Sequence, residues 1–122
     1  MALARGWQRI EGALVFAGAL VLLARYWDPF LGWLLIPAFF APDLSILAYV
    51  AGPRAGALAY NAVHVYGFGL MVLAIGVLTN LFYVEDLGFL WLAHAGFDRM
   101  LGYGLKLDSG FRDTHLGRIG RG

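Results

Sequence analysis

The sequence has 122 residues, which is enough for one domain and too few for two. Hydrophobic residues make up 61% of it and charged residues only 14%, whereas water-soluble domains carry about 25% charged residues. This composition indicates an integral membrane protein, and the net charge of +1 gives no reason to expect a nucleic acid partner. The absence of cysteine excludes disulfides, iron–sulfur clusters and cysteine-ligated zinc.

Four apolar stretches of spanning length follow one another, since a transmembrane helix needs about 20 mostly apolar residues. The predicted spans are residues 10–27, 30–52, 55–82 and 87–103. Pro42 followed by Asp43 predicts a break in the second span, because proline removes a backbone donor. The sequence therefore predicts an all-α fold: one compact bundle of about four transmembrane helices over residues 1–122. A polar cytoplasmic tail without helical periodicity follows at residues 104–122.

Basic residues are distributed unevenly between the two ends of these spans. The end that would hold both termini and the second loop carries most of them, at Arg5, Arg9, Arg54, Lys106, Arg112, Arg118 and Arg121. Because cytoplasmic loops are enriched in lysine and arginine, we expect a multi-pass protein with both termini in the cytoplasm. No cleavage site leading into a soluble domain follows the first apolar run, so we interpret that run as a retained anchor.

Polar side chains, whose placement in the bilayer costs free energy, occur inside three of the predicted spans. They are Asp43 in the second, Asn61 and His64 in the third, and His94, Asp98 and Arg99 in the fourth. At 1.5 Å rise per residue, Asp43, His64 and His94 lie at depths that agree within about two helical turns. Asn61 and His64 share one helix face, as do His94 and Asp98. The sequence therefore predicts a buried His/Asp/Asn cluster in the cytoplasmic half of the bilayer.

This cluster is predicted to be a metal-dependent or acid/base site. The candidate catalytic residues are Asp43, Asn61, His64, His94 and Asp98, and the candidate ligands of a divalent metal are Asp43, His64, His94 and Asp98. Structural roles are the alternatives: Asp43 as the N-cap of a broken helix, Asn61 and His64 as contacts between helices, and Asp98 as a counter-ion for a nearby basic side chain. The agreement in depth favours the functional interpretation.

Basic and aromatic side chains near the same end are candidate substrate-binding residues. They are Arg54, Arg99, Tyr103, Lys106 and His115. A site close to the headgroups suits a lipid-linked substrate, whose phosphate arginine and lysine can bind. The tail is predicted either to lie on anionic lipid headgroups or to cover the cluster as a lid, with Lys106 and His115 reaching inward.

Three blocks of the sequence resemble a known family. They are Ala41-Pro42-Asp43-Leu44-Ser45, the segment 51–64 that ends in Tyr60-Asn61 and His64, and the segment 91–117 that contains His94, Asp98-Arg99 and Lys106. The family comprises small bacterial and archaeal membrane proteins catalogued only as a domain of unknown function. The resemblance implies a compact helical domain in the cytoplasmic membrane of a prokaryote and no established activity.

Three other functions remain open, so the sequence does not decide whether the protein is an enzyme. One is a non-catalytic accessory subunit, because 16% aromatic residues offer rigid surfaces for contact with other membrane subunits, with a second copy or with lipids. Another is haem b ligation by His64 and His94 on facing helices. The third is a transporter, for which four spans would require oligomerisation to form two gating halves.

Overall fold

The computed structural model describes residues 2–25 and 29–120, with side chains from residue 32 onward in the second range. The helices described are α1 (Ala2–Ala24), α2 (Pro29–Phe39), a 3₁₀ helix (Ala41–Ala51), α3 (Pro53–His64), α4 (Tyr66–Thr79) and α5 (Phe82–Leu101). The short strands β1 (Lys106–Leu107), β2 (Gly110–Thr114) and β3 (Gly117–Arg118) form an antiparallel sheet in that order. The predicted all-α class is confirmed, and the small sheet in the tail is new. The predicted end of the first span at residue 27 and the last two residues of the tail lie outside the described residues.

Two helical segments of the described chain are long and apolar enough to cross a membrane. They are Ala2–Ala24 and Gly32–Ala51, and the latter runs from α2 into the 3₁₀ helix. Helices α3 and α4 together make a third candidate, although they are bent by 49°. Many apolar side chains on these segments are uncovered: Val50 is 93% exposed and Leu78 83%. Apolar surface of this extent needs lipid around it, which supports a membrane protein.

Helix α5 is the central helix of the bundle and runs antiparallel to both α1 and α4. At one end Arg9 Nε donates to the carbonyl of Met100 over 3.0 Å, and at the other Arg25 pairs with Glu85. Helix α5 carries four charged residues, so it lacks the composition of a lipid-facing span. The predicted count of four spans is therefore approximate: three candidates pack around a more polar helix.

The second predicted span breaks where Pro42 follows α2. Helix α2 ends at Phe39 and the chain continues as an eleven-residue 3₁₀ helix, although such runs seldom exceed three or four residues. No side chain caps the 3₁₀ helix, whose N-cap position is Phe40. The alternative role of Asp43 as an N-cap is therefore wrong, because its carboxylate turns toward the histidines instead.

The third predicted span is two helices rather than one. Val65 adopts an extended conformation (φ −84°, ψ 148°) and separates α3 from α4. Such a break frees backbone carbonyls, which must find donors when they lie at membrane depth. Trp91 Nε1 donates to the carbonyl of Val63 over 2.6 Å, and Arg99 Nη2 donates to that of His64 over 3.0 Å. Side chains of helix α5 thus stabilise the bend between α3 and α4, and His64 is the last residue of α3.

Helices α1 and α5 are in close contact at Gly12. A Cβ atom there would lie 2.5 Å from Arg99 Cβ and 2.7 Å from the carbonyl oxygen of Gly96. Because neither backbone can yield locally, we expect Gly12→Ala to lower the free energy of unfolding by about 1–3 kcal/mol. Thermal unfolding of the detergent-solubilised protein measures the loss.

Gly18 on the same helix is the matched control for this substitution. A Cβ atom at Gly18 would meet nothing within 4 Å. Gly18→Ala should therefore be neutral or slightly stabilising, because alanine is the better helix former. Equal effects of the two substitutions would contradict the close helix contact at Gly12.

Candidate metal centre

Four side chains from three helices converge at one point. Asp43 comes from the 3₁₀ helix, His64 from the end of α3, and His94 and Asp98 from successive turns of α5. One ligand atom from each lies within 4.8 Å of all the others. Both imidazoles are buried, whereas the Asp43 side chain is 40% exposed. The predicted buried cluster of histidine and aspartate is confirmed.

Five of the six distances between the ligand atoms of this cluster are similar. The Nε2 atoms of His64 and His94 are 3.2 Å apart, and each is 3.2 Å from Asp43 Oδ1. Asp98 Oδ2 lies 3.6 Å from His64 Nε2 and 3.4 Å from His94 Nε2. A tetrahedral zinc ion with bonds of about 2.0–2.1 Å would hold its ligand atoms about 3.3–3.4 Å apart. Five of the six edges of the cluster, at 3.2–3.6 Å, therefore lie within about 0.2 Å of the length that such an ion requires.

The hydrogen bonds of the imidazoles determine which atoms face inward as acceptors. His64 Nδ1 lies 2.7 Å from the carbonyl oxygen of Tyr60, and it must be the donor because a carbonyl only accepts. In the neutral imidazole, His64 Nε2 therefore presents a lone pair to the cluster. His94 Nδ1 is buried without a hydrogen-bond partner in the described part of the chain.

These assignments leave the cluster short of donors. Two carboxylates and at least one imidazole lone pair converge, and the carboxylate of Asp98, whose side chain is only 13% exposed, needs a partner. A divalent cation would neutralise both carboxylates and accept both nitrogen lone pairs. The residues present thus fit a metal ion.

Tyr60 supports the cluster and was not predicted from the sequence. Its ring stacks on the imidazole of His64, with the centroids 3.6 Å apart. Its hydroxyl donates to Asp98 Oδ2 over 3.4 Å. Tyr60 precedes His64 by four residues and so shares its helix face, a spacing that could have identified it.

Asn61 does not join the cluster. Its Nδ2 donates to the carbonyl of Lys106 over 2.7 Å, and its Oδ1 accepts the amide N–H of Lys106 over 2.6 Å. Both halves of the side-chain amide are thereby occupied by the backbone of β1. The predicted catalytic placement of Asn61 is corrected on this ground: the side chain attaches the tail to α3.

A cavity of about 300 Å³ adjoins the cluster on its carboxylate side. Its lining includes both carboxylates but neither imidazole, and consists of Asp43, Ile46, Tyr60, Asp98, Tyr103, Lys106, Phe111 and Ile119. The tail therefore supplies one wall, as a lid would. The histidines occupy the closed side of the cluster.

Lys106 is the charged residue that the tail brings to this cavity. Only 4% of the residue is exposed, and its Nζ lies 3.9 Å from the ring centroid of Phe111 and 4.8 Å from that of Tyr60. Burial lowers the pKa of Lys106, and the charges of Asp98 and Asp43 act in the opposite direction. Lys106 and Tyr103 are the two predicted substrate-binding residues that line the cavity.

Arg99 has a different position from the one predicted for a substrate-binding residue. Its Nη1 donates to the carbonyl of Tyr103 over 2.9 Å and its Nη2 to that of His64. The guanidinium is occupied by these two carbonyls and is absent from the cavity lining. No ion pair joins it to Asp98, whose ionic contacts in the described chain are with the two histidines.

Arg54 and His115 also lie away from the cavity lining. Arg54 is exposed on the first turn of α3, about 15 Å along the helix from His64. His115 is exposed, and its Nδ1 accepts the amide N–H of Leu105 over 2.8 Å. Of the two tail residues predicted to reach inward, only Lys106 does so.

The contact between the two histidines also bears on haem. Their Nε2 atoms approach to 3.2 Å and their rings are inclined by 62°. No porphyrin plane fits between nitrogen atoms at this distance. His64 and His94 therefore lack the geometry of paired haem ligands.

Comparison with known proteins identifies the family but not the activity. Residues 5–119 match the family described as "Domain of unknown function (DUF4260)". The chain belongs to this family. No curated protein and no solved structure shows significant similarity to it. The function of this DUF4260 chain is therefore argued from its site.

Proposed function

We propose that this DUF4260 protein is a divalent-metal-dependent hydrolase of a lipid-linked phosphoryl or acyl ester, with Asp43, His64, His94 and Asp98 as the metal ligands. The observation that carries the proposal is the convergence of their four ligand atoms within 4.8 Å of one another, with five of the six separations between 3.2 and 3.6 Å. Two imidazole nitrogens and two carboxylate oxygens form a donor set that suits zinc, and also manganese or iron.

The division of the cluster into an open and a closed side supports catalysis. A divalent ion held there would polarise a phosphoryl or acyl oxygen and lower the pKa of a bound water. The two carboxylates adjoin the cavity, so a substrate would approach between them. On the closed side, the carbonyl of Tyr60 fixes the tautomer of His64 and the Tyr60 ring fixes its plane.

The surroundings of Asp43 support an amphiphilic substrate. Leu44 and Leu47 follow it on the 3₁₀ helix and are 67% and 70% exposed, so they would face lipid. The cavity itself has apolar walls at Ile46, Phe111 and Ile119 beside its charged residues. A substrate with an apolar chain and a polar head would therefore meet matching surfaces. From the distribution of basic residues, we expect the cavity to open toward the cytoplasm.

Cobalt titration tests the metal site directly. The protein is purified in mild detergent, stripped with a chelator and titrated with Co²⁺, whose visible absorption is intense only in tetrahedral coordination. We expect saturation at about one ion per chain and displacement of cobalt by zinc. Weak octahedral absorption or no saturable binding would contradict the proposed ligand set.

Hydrolysis is then tested with the metal-loaded protein. Fluorescent phospholipid and acyl-ester analogues are offered in mixed micelles, and turnover is compared before chelation, after it, and after metal is restored. Metal-dependent turnover supports the proposal. Bound metal without turnover on either ester would instead favour a structural metal in a non-catalytic accessory subunit.

A further inference from the structure

We propose that Lys106 is an anion-binding residue of this site and that the group it binds beside the metal ligands is a phosphate. This inference rests on the proposed metal centre and specifies its substrate class. It selects a phosphorylated head over a neutral acyl ester.

The first support is the state of the Lys106 ammonium. Lys106 is the only lysine of the sequence, and the residue is 96% buried, since 4% of it is exposed. In the described part of the chain its Nζ makes no hydrogen bond or ion pair, and it lies beside the rings of Phe111 and Tyr60. The side chain lines the cavity, so the ammonium has room for an oxygen partner there. A ligand in the cavity can supply one.

The second support is that Lys106 is held in place by its backbone rather than by its charge. Asn61 bonds both the N–H and the carbonyl of Lys106. The aromatic rings of Phe111 and Tyr60 flank the ammonium group, 3.9 and 4.8 Å from its nitrogen. The ammonium is therefore positioned in advance, which lowers the entropic cost of binding an anion.

The third support is the charge of the loaded site. A divalent ion would cancel the charges of Asp43 and Asp98. The cavity would then have a net positive charge, which Lys106 contributes. Without the ion, the two carboxylates would repel a phosphate. Phosphate binding should therefore require metal, whereas a neutral ester would gain nothing from the buried ammonium.

Binding of inorganic phosphate to the full-length protein tests the inference. Phosphate is titrated into cobalt-loaded protein in detergent, and the cobalt spectrum reports occupation of the site. We expect Lys106→Met to weaken phosphate binding by about tenfold or more, because a charged hydrogen bond is lost. Lys106→Arg should recover much of the affinity, and Arg112→Met, an exposed tail substitution, should leave it unchanged. An unchanged phosphate affinity in Lys106→Met would overturn the inference.

Cobalt binding separates failure of this inference from failure of the proposed function. If wild-type protein binds no cobalt, the metal centre itself is wrong. If cobalt binds and phosphate does not perturb it, only the role of Lys106 is wrong. If Lys106→Met does not fold, the wild type still gives an answer: phosphate should slow acetylation of Lys106, and an unchanged rate would overturn the inference.

The source of the phosphate is distinguished by a second titration. Glycerol phosphate and vesicles that contain phosphatidic acid are compared in competition with inorganic phosphate. Tighter binding of the lipid assigns the site to a lipid headgroup. Equal binding of the soluble ester would preserve the role of Lys106 but contradict the lipid-linked substrate.

Discussion

Replacement of His94 by alanine is expected to remove bound divalent metal almost completely, with a loss of affinity above about 100-fold. Groups that merely orient a ligand are worth about 10–100-fold in metal affinity, and His94 contributes a ligand atom itself. Its Nε2 lies within 3.4 Å of three other cluster atoms, so no neighbouring side chain can replace it. Metal analysis of purified protein by mass spectrometry measures the content. Replacement of His64 by alanine should have the same effect.

His115 provides the matched control, because the sequence has three histidines and this one lies outside the cluster. The imidazole of His115 is bonded to Leu105 in the tail. His115→Ala should keep the metal content of the wild type. A proportional loss in all three variants would mean that the metal is bound unspecifically by histidine.

Replacement of Arg99 by methionine is expected to destabilise the fold by about 3 kcal/mol or more, since each lost bond from a charged donor costs about 1.5–3 kcal/mol. Arg99 is 4% exposed and donates to the carbonyls of both His64 and Tyr103. Methionine has a similar length and leaves both carbonyls without this donor. Unfolding in a denaturing detergent measures the change.

Arg54→Met is the control for this effect. Arg54 is exposed, and surface substitutions usually stay within about 0.5 kcal/mol of the wild type. A small effect of Arg99→Met, similar to that of Arg54→Met, would show that the carbonyls at the break find other donors. The bend between α3 and α4 would then not depend on Arg99.

The break after α2 could be predicted from the sequence, whereas the break at Val65 could not. Pro42 interrupts a helix through its own covalent structure, so the sequence alone reveals it. Nothing comparable marks Val65, which has neither proline nor glycine as its neighbour. The bend is stabilised by Trp91 and Arg99, which donate to the carbonyls of Val63 and His64. These donors follow their acceptors by 28 and 35 residues, so no local pattern reveals the contacts.

The metal-site candidates were predictable from two constraints: the free-energy cost of a polar side chain inside a span, and the depth of that side chain in the membrane. A carboxylate or imidazole inside a span needs a partner, and helical rise limits which partners it can reach. Asn61 lies on the same helix face as His64 but makes a different contact. Its side-chain amide forms both of its hydrogen bonds with the backbone of Lys106 in β1. That strand has only two residues, too few for any periodic pattern to reveal it.

The attachment of the tail to α3 has a consequence for biosynthesis. Ribosomes build the chain from its N-terminus, so α5 is complete before Lys106 is made. The two imidazoles and the two carboxylates are therefore already in the nascent protein when β1 reaches Asn61 and forms its two hydrogen bonds. The cavity wall that carries the lysine is thus synthesised after all four candidate metal ligands, so they cannot meet it until the tail has been made.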